Sequence, residues 1–403
     1  MNKPLYLSLL AASVCCTLQV NAAGTLVSEM SQMSVSTAGA GGAVVAENAS
    51  VAYSNPAGMS YIDQPALSVN LAAMALDINY YDHTDANQSA EDAGGYQPYG
   101  SLYYVHPVSE KVRFGMSLSA QGGSALDYGT EYAGNMELND LRLSVLQLNP
   151  SFSYQIDSRW SVGGGLQIDY ATYEQNLLVD HAHLETDSWT LGYNLGVMWQ
   201  VDKDNRFGLT YRSQMDHDLT GEVNTDPFSI HIAGPLYKDI PAMSGQAGVN
   251  VLNPRQVELS GLHQLNQPLS LVWSLGFEQW SENKATHVEV NGSNVSQIPR
   301  SFEDVWSAAV GARYQLTPKL RVEGGLGYAS SPLSDPRLQS PDLPVDSQQR
   351  YSLGMSYQWS EQINLNGYYS FVDYGNPEIS TSSMSGHFDN SNQFFGLLIN
   401  MTF

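Results

Sequence analysis

Cysteine is nearly missing from this 403-residue chain, and its two copies, Cys15 and Cys16, lie close to the N-terminus. The remainder offers neither a disulfide framework nor a thiolate site. Basic charge is scarce too: 17 Lys and Arg face 40 Asp and Glu, for a formal net charge of −23. Phosphate binding needs clustered Lys and Arg, so nucleic acid is excluded as a partner. Beyond the N-terminal segment no run of about 18 apolar residues occurs, so there is no transmembrane helix. No Gly-x-Ser-x-Gly elbow is present either.

What is there begins with an export signal. Lys3 supplies a positive start, Leu5 to Leu18 is apolar, and Val20-Asn21-Ala22 is a small-residue cleavage site. The apolar part is too short to cross a bilayer. Val14 before Cys15, and Cys15 before Cys16, do not give the small residue that lipidation requires. Residues 1–22 therefore read as a signal peptide. Its removal takes both cysteines and Lys3, and moves the net charge from −23 to −24.

The last nine residues carry the clearest pattern. Phe395, Leu397, Ile399, Met401 and Phe403 alternate with Gly396, Leu398, Asn400 and Thr402. That is the period of a strand with lipid on one side and a lumen on the other, ending on an aromatic residue as a barrel-closing strand does. From Pro65 onward similar alternation recurs between turn signals. Strand centres fall near residues 73, 103, 116, 149, 167, 194, 212, 259, 275, 309, 325, 352, 368 and 398. These predict an all-β, 14-stranded antiparallel transmembrane barrel over residues 65–403. Short turns are expected at 108–111, 157–159, 202–205, 266–268, 317–319 and 360–362. Longer, extracellular connections are expected at about 82–97, 122–142, 178–187, 222–252, 282–302, 330–347 and 373–391. All seven tryptophans (Trp160, Trp189, Trp199, Trp273, Trp280, Trp306, Trp359), with Tyr80-Tyr81, Tyr103-Tyr104 and Tyr368-Tyr369, sit in or beside these strands. They are expected to form two aromatic girdles at the headgroup level.

Residues 23–64 differ. Ser34 to Ala46 is rich in Gly and Ala, poor material for a lipid-facing strand. Val44, Val45, Val51, Tyr53 and Met59 give it enough apolar surface to pack inside something. An N-terminal hatch, plugging the lumen, is the expectation.

On these residues the chain resembles a known family. Asn55-Pro56-Ala57-Gly58 is similar to the hatch motif of FadL-type outer-membrane transporters (OmpP1/FadL/TodX) of long-chain fatty acids and other hydrophobic compounds. Leu148-Asn149-Pro150-Ser151-Phe152-Ser153-Tyr154 resembles the family's fourth strand. Phe207-Gly208-Leu209-Thr210-Tyr211-Arg212-Ser213, Trp280-Ser281, Gly327-Tyr328-Ala329-Ser330-Ser331-Pro332 and Gln349-Arg350-Tyr351-Ser352-Leu353-Gly354 continue the likeness in family order. The resemblance implies passive uptake through a plugged barrel, capture by extracellular loops, and lateral release at a kink of the third strand. That strand is expected over about 113–121, with Gly122 and Gly123 marking either the kink or an ordinary turn. It also implies a hydrophobic ligand such as a long-chain fatty acid, contact with outer-membrane lipid and lipopolysaccharide, the barrel-assembly machinery as a folding partner, and a monomer. Neither a cofactor nor a metal is called for.

Two departures bear on the ligand. The link from Val179 to Asp187 is short where longer family members carry a helical capture loop. Glu174, Gln175 and Asn176 stand where the family's basic residues would meet a carboxylate. Arg300 and Arg212 are the replacement candidates, because a buried carboxylate needs a donor or cation. A channel for neutral or aromatic hydrophobic compounds is the alternative. A polar-solute porin and an outer-membrane lipase using His106 or His217 as base are weaker ones. The Asp180-His181-Ala182-His183-Leu184-Glu185 cluster has the composition of a metal site but no third shaped ligand.

Overall fold

Alternating apolar and polar residues become a single closed wall. The computed structural model describes residues 28–31, 33–233 and 236–403; the expected signal peptide lies outside them. We number the staves β1 (Ala66–Asp82), β2 (Gly95–Pro107), β3 (Val112–Asp127), β4 (Asp140–Gln155), β5 (Trp160–Leu177), β6 (Ala182–Gln200), β7 (Asn205–Arg212 and Met215–Thr225), β8 (Met243–Asn253 and Gln256–Gln264), β9 (Leu269–Glu278 and Ala285–Val290), β10 (Ser293–Pro299 and Val305–Gln315), β11 (Leu320–Ala329), β12 (Gln348–Gln358), β13 (Ile363–Asp373) and β14 (Ser385–Thr402). Each pairs antiparallel with the next. β14 closes on β1 from Ala66↔Thr402 to Asp82↔Gly386. Every expected strand centre falls in its own stave.

The long-loop end departs from expectation, because several staves continue beyond the apolar band. β3 runs to Asp127 and β4 starts at Asp140, so the loop is 128–139 and not 122–142. β5 and β6 turn within 178–181. The expected loop 282–302 is mostly a hairpin, Ala285–Val290 paired with Ser293–Pro299. Asn291 and Gly292 turn it with φ of 52° and 72°, as a tight hairpin requires. A second hairpin, Phe228–Ala233 with Leu236–Ile240, rises between β7 and β8. Backbone donors at the rim still seek partners, and pairing supplies them.

Side-chain polarity is inverted relative to a soluble barrel. Ser68, Asn70, Ser117, Ser119, Asn149 and Ser151 are buried inward, whereas Leu191, Leu195, Val310, Leu353 and Met355 are exposed outward. Trp160, Trp199 and Trp359 flank the short turns; Trp189 and Trp306 stand at the other level. Trp189 and Trp199 both lie on β6. Ten residues of tilted strand span about 25 Å of membrane normal, the height of an outer-membrane apolar band. Trp280 is a correction: it is buried with Phe302, Val305, Leu333 and Leu343, not in a girdle. The tyrosine pairs split by strand parity, so Tyr80 and Tyr103 point into the barrel.

The lumen is filled. The N-terminal segment forms α1 (Ser28–Ser31), a 3-10 turn (Val35–Thr37), α2 (Val51–Ser54) and a second 3-10 turn (Pro56–Tyr61). Val44, Val51, Tyr53 and Met59 pack there against Tyr103, Val105 and Met198 of the wall. Nearer the long loops, Tyr128 and Tyr132 pack with Tyr80 and Phe388. Tyr128 donates to Pro341 O at 3.0 Å, joining loops 128–139 and 330–347 over the lumen.

Candidate functional site

The hatch is held by its own Asn-Pro-Ala turn. Asn55 is fully buried and extended (φ −153°, ψ 102°), and its Oδ1 accepts from Ala57 N at 3.0 Å, capping the second 3-10 turn, in which Pro56 takes the first position. A side-chain cap of this kind satisfies an otherwise orphaned donor. Asn55 Nδ2 donates to Ala43 O at 2.6 Å and to Val197 O of β6 at 3.3 Å, so one amide ties turn, hatch and wall. Ser161 of β5 donates to Ala57 O at 2.9 Å. The wall makes room: a Cβ on Gly196 would lie 2.0 Å from Asn55 Oδ1, and one on Gly163 2.5 Å from Ala57 N.

On the other side the grip is ionic. Arg313 of β10 and Arg321 of β11 both reach Glu47 of the hatch, Arg321 at 2.8 Å, while Glu323 bonds Arg321 at 2.6 Å and Arg313 at 3.2 Å. Ser36 of the hatch donates to Glu323. Arg206 stacks 3.8 Å over the Tyr61 ring. Arg313 is buried and Glu323 nearly so, whereas the Glu47 side chain is 42% exposed, so solvent screens the hatch end of this network and weakens its grip.

Between hatch and loops lies a cavity of about 190 Å³. Trp280, Phe302 and Leu343 form its apolar side; Tyr53, Arg212 and Gln121 line its hatch side. The two arginine candidates separate here. Arg300 does not line the cavity. It is buried, donating to Thr286 at 3.0 Å and Ser340 at 2.6 Å, with both edges of its fork on Asp342. Burial would raise the Asp342 carboxyl, but the Arg300 guanidinium beside it more than offsets this and holds it below the ordinary value. Arg300 is therefore a staple between loop 330–347 and the β9–β10 hairpin, and its charge is already spent on Asp342. That corrects the expectation of a ligand anchor there. Arg212 lines the cavity, lies 3.8 Å over the Tyr53 ring, and donates to Tyr53 O at 2.8 Å and Gln147 Oε1 at 3.2 Å. None of the salt bridges among the described residues includes it. Glu174, Gln175 and Asn176 lie on the β5 extension across from Arg142, Leu141 and Asp140, away from the cavity.

The third strand loses its β2 partner where the glycines stand. β2 and β3 pair only from Ser101↔Ser119 to Pro107↔Arg113. Beyond this, Gly95 to Gly100 pair with β1 and Gly122 to Asp127 pair with β4; the two sides meet again only at the rim, where Asp127 N donates to Ala93 O at 2.8 Å. The β3–β4 register slips between Ala120 and Gly122, leaving Gln121 as a bulge. Gly122 and Gly123 thus sit inside a strand, not in a turn. Gln121 is buried and accepts from Tyr53 OH at 2.6 Å, and Ser31 donates to the same hydroxyl at 2.9 Å. Tyr53 therefore links the arginine, the hatch and the bulge. Nothing in the sequence alone marked Tyr53 or Gln121 for this position.

His181 stacks on Phe228 and His183 bonds Asn176 at 2.8 Å. His106 bonds Tyr104, and buried His217 bonds Asn253 and lies 3.6 Å from Asp169. Neither hydrogen-bonds a serine among the described residues.

A closed barrel with outward girdles, a pinned hatch and a lumenal cavity defines a plugged outer-membrane transporter. The family model for outer membrane protein transport proteins (OMPP1/FadL/TodX) matches residues 13–403, and the chain belongs to this family of outer-membrane proteins. It is 24% identical over 384 residues to the "Long-chain fatty acid transport protein" of Escherichia coli O6:H1, covering 86% of each chain. It is 26% identical over 408 residues to "Outer membrane protein P1" of Haemophilus influenzae, covering 87% of this chain and 86% of that one. Among solved structures, a Pseudomonas aeruginosa FadL homologue superposes with a TM-score of 0.82 at 18% identity, covering 95% of this chain and all of that one. The P. putida toluene transporter TodX gives 0.74 at 18% identity, covering 96% and 99%.

Proposed function

We propose that this protein carries hydrophobic small molecules passively across the outer membrane, holding them in the cavity above the hatch and releasing them sideways between β2 and β3. One observation carries the reading: a single cavity brings an apolar side (Trp280, Phe302, Leu343) together with Arg212, hatch Tyr53 and bulged Gln121, with Glu258, Glu278 and Arg350 elsewhere in its lining. The route past the hatch towards the short turns runs by Glu47, Arg313, Arg321 and Glu323. Apolar surface gains nothing among charges that must keep their polar partners. A gap opening towards lipid keeps the solute out of water throughout.

Long-chain fatty acids are the leading substrates, with the carboxylate at Arg212 and the chain against Trp280 and Phe302. Relatives named as long-chain fatty acid transport proteins support this. A charge-assisted bond is typically worth about 1.5–3 kcal/mol, roughly 10- to 150-fold in affinity. Binding of oleate and oleyl alcohol to wild type and Arg212→Ala is the test. Oleate should weaken by that factor in the variant while the alcohol hardly changes; equal binding of acid and alcohol by both proteins would remove the anchor. The size of the cavity favours a second reading. About 150 Å³ suffices for benzene, so 190 Å³ accommodates a single-ring neutral compound without any opening, and a solved neighbour is named a toluene transporter. Toluene binding indifferent to Arg212→Ala, with weak oleate binding, would select it.

A transporter explains the molecule better than a lipase, given what His106 and His217 bond, and better than a polar-solute porin, given the filled lumen. A monomer in contact with lipid and lipopolysaccharide, inserted by the barrel-assembly machinery, completes the proposal.

A further inference from the structure

Away from the cavity, on the outer face of the closing seam, three donors meet from three adjacent strands. His387 lies on β14, His83 just follows β1, and Glu378 opens the short strand Glu378–Ser380. The backbone sets their spacing. Glu378 and Tyr81 each pair with His387 across the sheet. His83 N donates to Ser385 O at 2.9 Å, and Phe388 N to Pro377 O at 3.0 Å. His83 Nε2 lies 3.3 Å from His387 Nδ1 and 3.8 Å from Glu378 Oε2, and the three donor atoms all fall within 4.8 Å of one another. Tyr81 stacks on the His387 ring at 5.3 Å, steadying its plane.

We propose that His83, His387 and Glu378 bind a divalent transition metal of the zinc class at the rim. Donors around a tetrahedral ion at about 2.0–2.1 Å stand roughly 3.3–3.4 Å apart. The histidine pair already has that separation, and the carboxylate, 3.8 Å from His83 Nε2 and within 4.8 Å of the His387 donor, closes in by rotating its exposed side chain. Two imidazoles and one carboxylate favour zinc, nickel or copper over magnesium or calcium, which prefer oxygen. Asp77, Glu91, Asp92 and Asp389 all lie close enough to Tyr81 to act on it electrostatically, and their negative field attracts a cation. His83 and Glu378 are exposed, so the ion is reached from solvent and keeps a position for water. Bound there, it ties β1, β14 and loop 374–384 together at the top of the seam. It does not touch the cavity.

The test uses the full folded chain in detergent, without a histidine tag, titrated calorimetrically with zinc chloride alone and again in excess magnesium. One equivalent should bind, unaffected by magnesium. His83→Ala and His387→Ala should each weaken it about tenfold or more, in the range seen when a metal site loses supporting groups, and Glu378→Gln should weaken it less. Arg212→Ala, outside the site, should bind zinc normally. Retention of the compact unboiled gel band shows that each variant is folded. Failure of the wild type to bind zinc, displacement by magnesium, or unchanged binding in the folded His83→Ala/His387→Ala double variant would overturn the assignment.

Discussion

The β1–β14 and β2–β3 seams belong to one barrel, yet one is zipped along its whole length and the other is unpaired between Ser101↔Ser119 and a single rim bond from Asp127 N to Ala93 O. Every residue of β1 from Ala66 to Asp82 has a partner on β14. β2 leaves β3 after Ser101↔Ser119. The difference is chemical and local. β14 contains no proline, whereas the free part of β2 reads Gly95-Tyr96-Gln97-Pro98-Tyr99-Gly100. Pro98 has no N–H to offer, and proline in a sheet belongs at an edge. Opposite it, Gln121 is turned inward as a bulge to meet Tyr53. The edge inside this barrel is thus built by particular residues and is no accident of closure.

The sharpest way to break the contrast is to move the proline. Ile399 pairs with Val69 on one side and Leu365 on the other. Ile399→Pro removes a ladder hydrogen bond from the middle of the sheet and should abolish the compact unboiled form on gels; a normal folded yield would mean that the closed seam tolerates what marks the open one. The second experiment zips the open seam. With no cysteine after Cys16, a Pro98→Cys/Gly122→Cys pair can be oxidised cleanly. Uptake of a labelled fatty acid should fall roughly tenfold or more, equivalent to about 1.4 kcal/mol or more, and recover with reductant. Unchanged uptake in verified cross-linked protein would place the exit elsewhere. The smallest effect is expected from Tyr53→Phe, which keeps the ring under Arg212 but removes the hydroxyl that links hatch and bulge. A buried hydrogen bond contributes about 0.5–1.5 kcal/mol, so hydrogen exchange at 120–127 should quicken by roughly 2- to 12-fold while β14 stays protected. Equal protection of both segments would show that the bulge does not depend on the hatch.

The staves were legible because a barrel wall in lipid must keep one face apolar, and that imposes alternation residue by residue. Above the lipid both faces are polar, the alternation fades, and the extensions of β3, β9 and β10 were read as loops. Asn291-Gly292 was a hairpin signal in plain view, as was Pro98 for an edge. Arg212 and Arg300 looked alike because what separates them is Asp342, 42 residues from Arg300. His181 and His183 drew notice by adjacency, whereas His83 and His387, 304 positions apart, meet only when the seam closes. Trp280 carries the same lesson: its strand-end position suited a girdle, and only the fold of 330–347 over it buries the ring.

The zipped seam has a kinetic consequence. Ser68 donates to Asn400 at 2.6 Å across a sequence separation of 332, a contact among the most distant in sequence the molecule makes. Closing so large a loop carries a high entropic barrier, and pairings of this kind form slowly. The wall around Asn55 has no space for a side chain at Gly196 or Gly163, so the hatch cannot easily thread into a finished cylinder. The order of events then follows as for a cask built around its contents: the plug takes its seat against β4–β6 while the wall is still open, and the last stave shuts it in. For a hatch enclosed in this way, departure from the lumen would require reopening the β1–β14 seam.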